Sequence, residues 1–235
     1  MWIETFFQLP GGYIMLNNPD QILLWQYGLV KINVTLAFTW LVMALLVGGS
    51  FLVTRRLSVD APISRVQNLL EVIVLSVNRQ IHELSRQQPE RYLPLIGTLF
   101  LFIALSNVLA VVPGFMPPTA SLSTTTALAL TVFVAVPVYG IYRGGLRRYL
   151  KQYCQPSVFM LPFNIVGEFS RTLALAVRLY GNIMSGTVIG GILLSITPLF
   201  FPVAMQLLGL LTGVIQAYIF SILAMVYIAS ATPKQ

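Results

Sequence analysis

Between Arg171 and Lys234 the chain bears a single charged side chain, Arg178, set in the run Thr172-Leu173-Ala174-Leu175-Ala176-Val177-Arg178-Leu179-Tyr180-Gly181-Asn182-Ile183-Met184-Ser185-Gly186. An arginine at the middle of a membrane helix costs about 3 kcal/mol on insertion scales, so it normally faces protein or a water-filled cavity and marks an ion path. Near a helix end it can instead snorkel to the headgroups. Apolar and small residues on both sides of Arg178 argue against that escape. Arg171, Arg178, Asn182 and Ser185 follow one another at offsets of seven, four and three, which places them with Gly181 on one helix face.

The medium is lipid. Of 235 residues 57% are hydrophobic and 9% charged, too few charges to cover a water-soluble globule. A net charge of +7 would suit nucleic acid, but the Lys and Arg residues fall between apolar runs, where the positive-inside rule accounts for them. Cys154 is the only cysteine and His82 the only histidine, so neither an internal disulfide nor a cluster of metal ligands is expected, and no cofactor. The N-terminus lacks a basic leader and a small-residue cleavage site, so the first apolar run is expected to remain as an anchor.

The expected architecture is an all-α membrane protein forming one domain over 1–235, with five transmembrane helices and one amphipathic surface helix. Residues 1–31 form a polar external lead, with Trp2, Trp25 and Tyr27 suited to the membrane interface. The first span is 32–54, free of charge and long enough for a core about 30 Å thick. Over 60–91, Leu69, Leu70, Ile73, Val74 and Val77 alternate with Glu71, Arg79 and Glu83 at helical spacing, the pattern of a helix lying on the membrane. Further spans follow at 93–112 and 122–142, the latter opening with Ser123, Thr124, Thr125 and Thr126 as capping or vestibule hydroxyls. The spans 165–197 and 199–230 exceed the roughly 20 residues a bilayer needs, so both must tilt strongly or project. Eleven Lys and Arg lie on the side holding 55–91, 143–151 and 234, against Lys31 alone on the other, which puts the N-terminus outside and the C-terminus in the cytoplasm.

Of seven acids, only Glu168 shares the arginine helix. It stands three residues before Arg171, in pairing position, and ten before Arg178, about 15 Å of rise. No acid of this chain is expected to reach Arg178, so its carboxylate belongs to another protein. On the last span Gln206, Gly209, Gly213 and Gln216 form a broad face that could lie along the Arg178 face in an antiparallel pair.

These residues resemble subunit a of the F-type ATP synthase over nearly all of the chain after residue 60. The resemblance rests on Gln67 and Glu71, on Phe102, Ser106, Asn107 and Pro113, and on Pro118-Thr119 with Thr125 and Ala127-Leu128-Ala129-Leu130. Its most specific parts are Arg178-Leu179-Tyr180-Gly181-Asn182 and Gln216-Ala217-Tyr218-Ile219-Phe220. It implies a steeply tilted helix hairpin against a ring of c subunits, peripheral-stalk b subunits, a soluble ATPase head carrying the ATP chemistry, and a bacterial inner membrane. It also implies that Arg178 is the family's essential arginine, facing the ring carboxylates between two half-channels, with Gln216, Asn182 and Ser185 beside it. The chain departs from the pattern at Thr187, where many members have glutamate, at Gly209, where many have histidine or glutamate, and at Thr172, where many have proline. The half-channel candidates are therefore Asn107, Thr187, Ser195 and Gln206, with Glu168 and Arg171 at the other end, and a divergent sodium-coupled branch is the expectation. The competing class, a stand-alone secondary transporter or channel binding an anion at Arg178, predicts inverted repeats and broken helices, and the sequence displays neither.

Overall fold

The computed structural model describes residues 23–27, 30–55, 92–112, 114–147, 149, 159–196 and 201–231, with single positions at 68, 71, 72, 75 and 79. Five α-helices make up its body: α1 (Val34–Thr54), α2 (Leu93–Leu109), α3 (Leu122–Gly144), α4 (Met160–Ile196) and α5 (Phe201–Ala231), with a short 3-10 turn at Pro118–Ala120. Four of them are long and apolar enough to cross a membrane, while α2, at 17 residues, is shorter. The surface helix expected over 60–91 lies outside the described residues except at Asn68, Glu71, Val72, Leu75 and Arg79, which are helical and exposed. Residues 1–22, His82, Cys154 and the turn holding Pro198 also lie outside them.

Several boundaries differ from expectation, each for a local reason. The lead is not wholly irregular, because β1 (Leu23–Tyr27) pairs antiparallel with β2 (Val30–Asn33), Trp25 opposite Ile32 and Tyr27 opposite Val30. Aromatic and β-branched residues favour pleated pairing, so the rings read as interface anchors also build a hairpin, and the all-α expectation holds for the body alone. Helix α2 stops at Leu109, not at 112. Ahead of Pro113 the chain tightens into i to i−3 bonds, Val111 N–H to Val108 O at 3.3 Å and Val112 N–H to Leu109 O at 2.9 Å, since the residue before a proline avoids the α region. Helix α4 begins at Met160, five residues before the expected 165, because Pro162 falls in the first turn, where a missing N–H costs nothing. Pro202 takes the same place in α5. Ser121, two residues before the hydroxyl cluster expected to cap α3, is its N-cap and accepts from Thr124 N–H. Gly145 closes α3 at φ 73°, a left-handed conformation that glycine adopts without a Cβ clash.

The helices meet along apolar stripes. Ile96, Leu99 and Ile103 on α2 and Ala217, Phe220, Ala224 and Ile228 on α5 repeat at three and four residues, which turns one face of each helix inward. Leu175 and Leu179 of α4 and Ala129, Val132 and Val136 of α3 complete the core. Helix α5 lies between α2 and α4, and α3 lies against both α4 and α5. Helix α1 is the peripheral element: Trp40, Val47, Phe51 and Leu52 are exposed, as suits a helix facing lipid, and its Phe38 meets Phe115 edge to face at 4.8 Å.

Small residues permit the closest approaches. A Cβ at Gly140 would lie 2.7 Å from the Tyr149 ring and 3.1 Å from the Ala231 carbonyl oxygen, so α3 seats its exit and the end of α5 on that glycine. Gly140→Val is therefore expected to destabilise the chain by about 1–3 kcal/mol, as overpacking does. Thermal unfolding of the purified complex should show a lowered transition for this subunit; an unchanged transition would mean the contact is not tight.

Candidate functional site

Arg178 sits midway along the 37-residue α4. Leu175, Ala176 and Leu179 around it are buried in the core, whereas Ala174, Val177 and Arg178 are exposed. The packing stripe that anchors α4 thus directs the guanidinium away from its own chain. Among the described residues Arg178 makes no hydrogen bond or ion pair. That agrees with the expectation that no internal acid reaches it.

Near the other end of α4, the Arg171 guanidinium lies over the Tyr227 ring of α5, 5.6 Å from its centre. This contact sets the pairing of two antiparallel helices. Eleven residues on from Arg171 is Asn182, and eleven back from Tyr227 is Gln216, so equal rise brings the two amides to one level, a single turn from Arg178. Gln216 is only 7% exposed, and neither its Nε2 nor the buried Nδ2 of Asn182 has a hydrogen-bond partner among the described residues. A buried donor left unmade costs about 1–3 kcal/mol, so the level beside Arg178 holds two donors and a fixed cation, all demanding an acceptor. A carboxylate or water answers that demand. Ser185, one turn further, is exposed and donates to the Asn182 carbonyl at 3.1 Å.

Glu168 and Arg171 line a cavity of about 390 Å³ between α3, α4 and α5, together with Asn164, Thr172, Tyr227 and Ser230. Thr172 stands where the resemblance leads one to expect proline, and α4 runs through it unbroken, its hydroxyl donating to the Glu168 carbonyl at 3.0 Å. Proline would have removed the N–H that belongs to that carbonyl and bent the helix. On α3, Pro137 stands inside the helix and leaves the Phe133 carbonyl without its i+4 donor, and Phe133 lines the same cavity. Asn164, Ser230 and Pro137 were not singled out by sequence reasoning; an internal proline was the available signal.

The remaining candidates separate. Thr187 is exposed and donates to the Met184 carbonyl at 2.9 Å, and Ser195 falls in the last turn of α4. Gln206 and Gly213, expected to run along the Arg178 face, are turned to α2: Gln206 Nε2 donates to Val111 O at 3.0 Å, and Asn107 Nδ2 donates to Gly213 O at 2.8 Å. Asn107 is 2% exposed and also accepts from Thr119 Oγ1 at 2.8 Å, so both ends of its amide are engaged. Beyond Gly209 there is open space.

Residues 36–229, which include nearly all of the five helices, match the family model described as ATP synthase A chain. The chain is 67% identical over 215 residues to ATP synthase subunit a 2 of Acaryochloris marina, with 92% of each chain covered. It is 62% identical to ATP synthase subunit a 1 of Chlorobaculum parvum, over 92% of this chain and 95% of the relative. With ATP synthase subunit a of Nitrosospira multiformis the identity is 60%, over 92% and 86%. A helical membrane chain with these matches belongs to the ATP synthase A chain family, the non-catalytic membrane subunit a of ATP synthase.

Proposed function

We propose that the chain is the ion-translocating stator subunit of a rotary ATP synthase, with Arg178 opposing the carboxylates of a rotating c-ring. The observation that carries this reading is the outward-directed guanidinium midway along α4, without a partner among the described residues. A ring carboxylate entering the membrane interior is held neutral by desolvation, and an opposed guanidinium favours its charged form. Ionisation releases the bound cation.

Arginine cannot give up its proton at any working pH, so it relays no ion itself and separates an inner from an outer aqueous path. The cavity lined by Glu168 and Arg171 is the inner path, opening where the charge distribution places the cytoplasm. The outer path runs past Ser185, Thr187 and Ser195. Ions must then travel with the ring from one path to the other, which ties flux to rotation. Each charge crossing gains about 2.3 kcal/mol per 100 mV, so several ions accompany each ATP. In this reading α4 and α5 cross the bilayer steeply tilted, since helices of 37 and 31 residues overreach a core about 30 Å thick. The b subunits of a peripheral stalk hold the subunit against the ring's torque, and the membrane is the bacterial inner membrane, with the N-terminus outside.

The neutral outer lining, Thr187 and Gly209 included, lacks a titratable relay and suits a cation that travels between oxygen ligands. That supports a sodium-coupled variant driven chiefly by ATP hydrolysis.

Arg178→Ala in the whole complex is expected to lower ATP-driven voltage generation about a hundredfold or more, the cost of leaving a buried charge unopposed, with hydrolysis by the detached head unchanged. A voltage-sensitive dye in vesicles reads the first and phosphate release the second; normal voltage in the variant overturns the reading. For the sodium branch, ATP hydrolysis by the coupled complex at fixed pH should rise with sodium concentration. A flat response removes that branch and leaves the proton.

A further inference from the structure

We propose that Asn107 is a positioning residue, which fixes the rotation of α5 about its axis so that Gln216 is presented one turn from Arg178. This rests on the ion-translocation reading above. Asn107 stands on α2, the helix that contributes none of the groups near Arg178, and its Nδ2 donates to the Gly213 carbonyl at 2.8 Å. Gly213 precedes Gln216 by three residues, less than one turn. The approach is so close that a Cβ at Gly213 would lie 2.9 Å from the Asn107 Cβ. Thr119 of the 3-10 turn holds the other end of the amide, donating to Oδ1 at 2.8 Å, so the side chain cannot swing. A second tie runs parallel to it: Gln206 Nε2 donates to Val111 O at 3.0 Å. Gln206 is seven residues from Gly213, two turns along the same face, and Val111 is four from Asn107. Two bonds, two turns apart on α5 and reaching α2 and the turn that follows it, fix both the rotation and the height of α5. Rotation is what decides where Gln216 points, because its Nε2 has no other bond among the described residues to hold it.

Burial answers the alternative that Asn107 lines a water path: its side chain is 2% exposed, and each end of its amide makes a bond within the protein.

The test uses the whole complex in vesicles, with ATP-driven voltage divided by the amount of this subunit retained in the complex. Asn107→Leu removes both bonds and is expected to lower voltage per assembled complex about tenfold, as the Gly213 carbonyl loses its tie to α2, the buried Thr119 hydroxyl loses its acceptor, and α5 turns. Asn107→Asp can donate to Gly213 only while its carboxyl is protonated, a form that burial favours. Its voltage per complex should therefore stay near the parent value at acidic pH and fall as pH rises, a profile that the parent complex does not follow. A residue that merely stabilises the fold would change the amount assembled and leave the voltage per complex and its pH profile alone. Parent-like voltage per complex in Asn107→Leu, or an Asn107→Asp profile parallel to the parent's, overturns the proposal. Arg178→Ala run alongside separates the two levels: if it too pumps normally, the stator reading has failed, and if it alone is dead, only the positioning role has.

Discussion

A guanidinium that cannot discharge and that meets no acid among the described residues of its own chain is the constraint on which this subunit's structure depends. In the isolated chain Arg178 is exposed at the middle of α4, a helix long and apolar enough to cross a membrane. That state is too costly to persist, so the surface around Arg178 is built to be covered. The covering group must be an acceptor, since a guanidinium carries donors only. A partner that remained in place would satisfy it and end the matter. In the proposed reading, a series of partners that arrive, pair and leave converts the same cost into a coupling between rotation and ion flow.

The rest of the fold holds that level still. Helix α4 is anchored by Leu175 and Leu179 and by the stacking of Arg171 on Tyr227, and α5 by its two amide ties to α2. Polar groups inside lipid are high-stakes: satisfied they specify one arrangement, and unsatisfied they are expensive. Ser106, Asn107, Thr119, Ser121 and Thr125 are all buried, and each makes a hydrogen bond. The contrast with Gln216 and Asn182 is informative. Asn107 is bonded at both ends of its amide, whereas Gln216 Nε2 and Asn182 Nδ2 have no partner among the described residues.

Much of this was legible in the sequence, for reasons that are local. Charge-free runs of membrane length announce helices in lipid, and a lone arginine announces a site whatever its neighbours do. Boundaries were less legible, because Pro162 and Pro202 look like breaks until they are seen to occupy first turns. The facing of α5 was not legible at all: Gln206, Gly209, Gly213 and Gln216 form one broad stripe in sequence, but α2 takes Gln206 and Gly213 while Gln216 is left at the level of Arg178. Periodicity shows which residues share a side of a helix, never which neighbour that side will meet. The cavity beside Glu168 was equally hidden, since its walls come from three helices distant in the chain.

The most direct measurement is the position of the Arg178 guanidinium in a density map of the assembled complex. The account predicts a carboxylate of a different polypeptide, on the ring, facing it within about 4 Å or across one water, with Gln216 and Asn182 at the same height. A guanidinium pointing into lipid, or paired with an acid of its own chain, would contradict it.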